Sequence, residues 1–211
     1  REQFGRLEAT QAEREAALRA SHPVAVRNCV FLNTGREAIV TAGGSLIENN
    51  LFMNTFDSAV KVNGPATAPV TTIKNNTFVW SWCDRAPGKG RYSGAGIQMG
   101  GPCNITNNIF AHMDNNAIYC TIKPEKTSIQ NNVFFMNLWS NFKMFLEGRD
   151  VAVDDKSMEL LEEAGLKAFE GNEVANPGLA LDPAWMDGTA KRSAGTKGKV
   201  TEDDWNKYRQ L

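Results

Sequence analysis

The sequence predicts an all-β fold: a parallel β-helix solenoid of about five to six coils, with peripheral α-helices at the N-terminus, near 155–168 and at the C-terminus. Three observations carry this. First, one six-residue pattern occurs five times: Val26-Arg27-Asn28-Cys29-Val30-Phe31, Ile47-Glu48-Asn49-Asn50-Leu51-Phe52, Ile73-Lys74-Asn75-Asn76-Thr77-Phe78, Ile105-Thr106-Asn107-Asn108-Ile109-Phe110 and Ile129-Gln130-Asn131-Asn132-Val133-Phe134. The aliphatic residue, the Asn pair and the Phe keep their register, and only Cys29 replaces an Asn. Second, Ile39, Val60, Ile118 and Phe142 each follow the Phe of their own copy by 8 residues. Third, the shortest period is 21 residues, and longer ones differ by insertions alone. A unit that short cannot bury its own apolar face, so copies must stack. A leucine-rich repeat would need Leu at several fixed positions, and a β-sandwich would not hold one register five times.

Taken in chain order, residues 1–22 read as an Arg-, Glu- and Ala-rich helix with Phe4, Leu7 and Leu18 on one stripe, stopped by Ser21-His22-Pro23. Residues 23–187 form the solenoid. Its inward ladders are Val26/Ile47/Ile73/Ile105/Ile129, the five Phe, and Ile39/Val60/Ile97/Ile118/Phe142. The Asn pair marks a corner, because Asn accepts the left-handed backbone and its amide can bond to its counterpart one coil away. A helical insertion is expected near 150–170, capped by Asp154 or Asp155 and ending near Gly165, with a sixth coil strand near Gly171-Asn172-Glu173-Val174. Residues 188–211 are a basic linker and a terminal helix opened by Thr201-Glu202-Asp203-Asp204.

Composition narrows the function classes. The 211 residues carry 23 Lys and Arg against 24 Asp and Glu, a net charge of −1, which gives no pull toward nucleic acid. No run of apolar residues is long enough for a membrane span. The four cysteines have no zinc spacing, and neither a metal nor a cofactor is expected. Cys103 and Cys120 align with inward positions and are expected buried and free of disulfides. The opening Arg1-Glu2-Gln3-Phe4 has no signal-peptide core and no initiator Met, so a piece of a longer chain is expected.

The Asn-Asn-x-Phe coils resemble the right-handed parallel β-helix, or pectin-lyase-like, superfamily over about residues 23–148. Asn176-Pro177-Gly178-Leu179 followed by Leu181-Asp182-Pro183 is similar to the closing segment of bacterial secreted members. The resemblance implies a right-handed coil and an extracellular or periplasmic location. It implies binding or processing of acidic polysaccharide, as lyases and epimerases do, or a noncatalytic structural part of an assembly with partner protein subunits. The hydrolase signatures Asn-Thr-Asp, His-Gly and Arg-Ile-Lys and the epimerase signature Asp-Pro-His-Asp are absent, so no catalytic residue is assigned.

Candidate ligand contacts fall on one side. In the third copy Ile97 lies 19 residues after Phe78, an insertion of 11. Trp80, Trp82, Asp84, Arg85, Lys89, Arg91 and Tyr92 cluster there, a mixture suited to an anionic ring-bearing ligand or to a protein partner. His112 is a candidate base, with Asp114 beside it, and Asp57 and Asp114 sit at turn positions two coils apart, offset by one residue. On the outward line Val40, Lys61, Gln98, Tyr119 and Lys143, the lysines could meet uronate carboxylates and Tyr119 could stack on a sugar.

Overall fold

The computed structural model describes residues 24–82, 94–122, 126–137, 140–146, 149–153 and 168–179. These build three six-stranded sheets; two take one strand from each of six coils, and the third takes one from each of five coils plus a strand that folds back on its neighbour. Sheet A holds β1 (Ala25–Arg27), β4 (Leu46–Glu48), β7 (Thr71–Lys74), β10 (Cys103–Thr106), β13 (Ser128–Gln130) and β17 (Ala168–Glu170). Sheet B holds β2 (Val30–Leu32), β5 (Leu51–Phe56), β8 (Thr77–Trp82), β11 (Ile109–Met113), β14 (Val133–Phe135) and β18 (Glu173–Val174). Sheet C holds β3 (Ile39–Thr41), β6 (Val60–Val62), β9 (Ile97–Met99), β12 (Asn116–Cys120), β15 (Ser140–Leu146) and β16 (Arg149–Val153).

The register follows the repeat. Val26, Ile47, Ile73, Ile105, Ile129 and Phe169 pair in line along sheet A. Ile39, Val60, Ile97, Ile118 and Phe142 pair in line along sheet C. The rings of Phe31, Phe52, Phe78 and Phe110 stack 4.8–4.9 Å apart and within 4° of parallel, the spacing of strands in a sheet. From Phe52 on, the Phe side chains are at most 2% exposed. Each such burial contributes about 1.5–3 kcal/mol, and their sum holds the coils together. In coil three the chain passes the stack at Gly96, where a Cβ would lie 2.7 Å from the Phe110 ring. Coils two and four carry only Ala59 and Ala117, both buried, at the matching place.

The two Asn of each pair do different work. The first, at 28, 49, 75, 107 and 131, turns the corner with φ of 54–57°, and Gly171 takes this place in coil six with φ 64°. The second forms a buried chain of amides. Asn76 donates its backbone N–H and its Nδ2 to Asn108 Oδ1 at 2.9 and 3.0 Å, and Nδ2 also reaches Ile47 O at 3.0 Å. Asn50, Asn108 and Asn132 repeat the arrangement up to Asn172 Oδ1. Cys29 begins the ladder, its N–H donating to Asn50 Oδ1 at 3.0 Å. Every polar atom of these buried amides is thereby used, which burial requires.

The expected helices at 1–22, inside 154–167 and at 188–211 lie outside the described residues, and there is no helix among the described ones. Both described ends of the 150–170 segment are strands. Arg149–Val153 pairs antiparallel with β15 and takes the sixth place in sheet C, and Ala168 opens β17. Only Glu147 and Gly148 separate β15 from β16, too few for a parallel crossover, so the strand must fold back. Cys103 and Cys120 are buried, and they and the exposed Cys29 are free thiols. Burial pushes both buried thiols up, Cys120 to about 11.

Candidate functional site

The corner between sheets B and C departs most from the repeat. The residue two places after the Phe is left-handed in all five coils: Asn33, Asn54, Trp80, His112 and Met136, with φ of 53–59°. Asn fills this conformation cheaply, whereas bulky side chains pay roughly 1–2 kcal/mol for it. Strain of this kind collects at functional sites. The sequence reading missed this second left-handed column, because the Phe-x-Asn signal stops after coil two.

Trp80 and His112 are consecutive in that column, with ring centroids 6.3 Å apart, and Phe135 meets the other side of His112 edge-on at 5.4 Å. Burial lowers the His112 imidazole below its ordinary value of 6.5. At neutral pH it is therefore a neutral ring, able to take a proton. Asp114 lies two residues further on in the same coil and Asp57 two coils below, and they are 7% and 5% exposed. Asp57 is itself left-handed, with φ 68°. Phe56 is the register partner of Trp82 and Met113 that of Ser81, so the acids sit two coils apart and one residue out of step, as the sequence spacing predicts.

Beside the corner, the pairing of sheet C places Val40, Lys61, Gln98, Tyr119 and Lys143 on one outward line. Lys61 Nζ lies 3.3 Å from Glu37 Oε1. Burial alone would raise the Glu37 carboxyl, but bonds from its own backbone and from Lys61 overcome it and hold the group low. Ser58 Oγ donates to Gln98 Oε1 at 3.5 Å. Lys143 is 8% exposed, with Nζ 5.1 Å over the Tyr119 ring, a cation–π contact. Among the described residues, no three of His, Cys, Asp and Glu come together as a metal site.

A family model described as a right handed beta helix region matches residues 16–176, well over half of the chain. The chain belongs to the right-handed β-helix family. No curated protein and no solved structure matches it.

Within this β-helix, the sequence-derived candidates divide into three groups. His112, Asp114, Lys61 and Tyr119 lie at the B–C corner or on the adjoining face of sheet C. Trp80 belongs to β8 of the coil rather than to the insertion and is 1% exposed, so it cannot stack on a ligand; it backs His112 instead. Trp82 ends β8 opposite Phe56, and Asp84, Arg85, Lys89, Arg91 and Tyr92 lie outside the described residues. The insertion leaves coil three at Trp82 and the described chain resumes at Gly94, next to the same corner.

Ser81 was not singled out by sequence reasoning. It is 1% exposed, and its Oγ lies 2.6 Å from Asp57 O and 2.9 Å from Ala95 O. Its carbonyl accepts the Asp114 N–H at 2.8 Å. No signal in a single sequence distinguishes this serine from an ordinary inward hydroxyl.

Proposed function

We propose that this chain is an extracellular or periplasmic β-helix module that binds an acidic polysaccharide along the B–C corner. The observation that carries the reading is the outward line Lys61, Gln98, Tyr119 and Lys143, in register beside a strained corner bearing a neutral imidazole. Successive coils are one strand spacing apart, close to the length of one sugar in an extended chain, so a glycan lying parallel to the axis meets one outward residue per coil. Lys61 pairs its carboxylates, Tyr119 stacks on a ring, and Arg85, Lys89 and Arg91 of the insertion add further cations. His112 is the group equipped to remove a proton from a uronate carbon, the step common to lyases and epimerases.

The test is calorimetric titration with oligogalacturonate and with a neutral glucan at low and high salt. The charged oligosaccharide alone should bind. The combined change Arg85→Ala, Lys89→Ala, Arg91→Ala should weaken binding at least about tenfold and flatten its salt dependence. Equal affinity for both glycans, or none for either, contradicts the reading.

One observation favours a second reading, a noncatalytic subunit of an assembly. The outward line of sheet B is mostly apolar, through Val30, Leu51, Ile109 and Val133 with Thr77 between and Glu173 at the end, and Val30 and Leu32 are 62% and 47% exposed. Apolar patches of this kind mark protein contacts. A native mass showing a defined multimer, with no uronate affinity, would select it.

A further inference from the structure

We propose that Ser81 is a positioning residue of the B–C corner, a side chain that ties together the backbones of the two corner acids and the closure of coil three. The inference rests on the reading of that corner as the functional site. Coil three alone has its link between sheets B and C lengthened by an insertion, so β8 and β9 are not joined by the short turn of the other coils. The Ser81 hydroxyl spans the gap. It donates to Ala95 O at 2.9 Å, on the far side of the insertion, and to Asp57 O at 2.6 Å, one coil below. It accepts from Thr55 Oγ1 at 3.2 Å.

The hydroxyl has one proton for two carbonyls, so it holds both by a shared bond, which demands that they stay close together. The backbone of Ser81 adds the link upward, its carbonyl receiving the Asp114 N–H at 2.8 Å. Coils two, three and four are thus fixed to one another at a single residue. Asp57 and Asp114, the acids of the coils on either side of Ser81, take their positions from it. The site is 1% exposed, where a lost hydrogen bond is not replaced freely by water. A threonine should serve as well, because the register partner of Ser81 in coil two is Thr55.

Hydrogen exchange and oligogalacturonate titration on the full chain carrying Ser81→Ala or Ser81→Thr test this. In Ser81→Ala, exchange at the amides of Ala59, Gly96 and Asp114 should quicken about tenfold or more, while β4 and β10 in sheet A keep wild-type rates. Affinity for oligogalacturonate should fall about tenfold, and Ser81→Thr should restore both properties. Unchanged exchange at those three amides overturns the proposal. So does an equal acceleration in sheet A, because Ser81 would then only stabilise the fold. If the wild-type chain binds no oligogalacturonate, the reading of the corner falls, and the exchange comparison still decides whether Ser81 fixes the corner.

Discussion

At the scale of single residues, the left-handed positions decide where this solenoid departs from its own rule. Asn28, Asn49, Asn75, Asn107 and Asn131 take one such corner in every repeat, and Asn33 and Asn54 begin the second. Trp80, His112 and Met136 then continue the second corner with side chains that gain nothing locally from the conformation. His112 adds a titration. Its folded value is lowered by burial, so between that value and 6.5 the unfolded chain holds a proton that the folded chain does not. Stability therefore falls as pH falls through about 6.5, and the loss is complete below the folded value. Glu37 acts separately, its contribution being lost only as pH drops below 4.5, toward its lowered folded value. Replacing His112 by Asn, the residue of coils one and two, should reduce the stability lost between pH 7.5 and 5.5 in urea unfolding. A variant with the wild-type loss would show that His112 is not responsible.

At the scale of elements, the Asn pair separates into a turn-former and a core polar ladder. The repeated Ile-x-Asn-Asn-x-Phe made both Asn visible in the sequence, together with the three inward ladders that the strands follow. It could not show their unequal burial: Asn108 is 1% exposed and Asn107 faces solvent. Asn108→Ala strips partners from the Asn76 N–H and Nδ2, from Ile73 O and from Asn132 Oδ1. That should cost about 3 kcal/mol or more, since buried groups left unpaired bear most of their desolvation penalty. Asn107→Gly keeps the φ of 57° and should change stability by less than about 1 kcal/mol. Chemical denaturation of the two variants checks the contrast, and equal losses would refute the division of labour. The antiparallel β16 was illegible for a different reason. Capping residues at Asp154 and Asp155 suggest a helix start, while the two-residue link before Arg149 forces a strand reversal that no periodicity records.

At the scale of the molecule, the three lateral faces differ in chemistry although one repeat builds them all. Sheet A alternates in charge over its first three coils, with Glu48 bonded to Arg27 at 3.3 Å and to Lys74 at 2.9 Å. Sheet B is mostly apolar on its outside, and sheet C carries lysines, glutamine and tyrosine. The inward residues, which set the fold, repeat and could be read from the sequence. The outward residues do not repeat, so the side on which they gather had to come from the register. The net charge of −1 does not reveal this segregation. On the proposed function, an acidic glycan lies along the B–C corner of coils two to four and the adjoining face of sheet C. Hydrogen–deuterium exchange of the full chain, with and without saturating oligogalacturonate, tests that directly. The prediction is protection confined to residues 55–62, 94–99 and 112–120, with no change in β4 or β10 of sheet A. Protection of sheet A, or none anywhere under conditions of demonstrated binding, would contradict it.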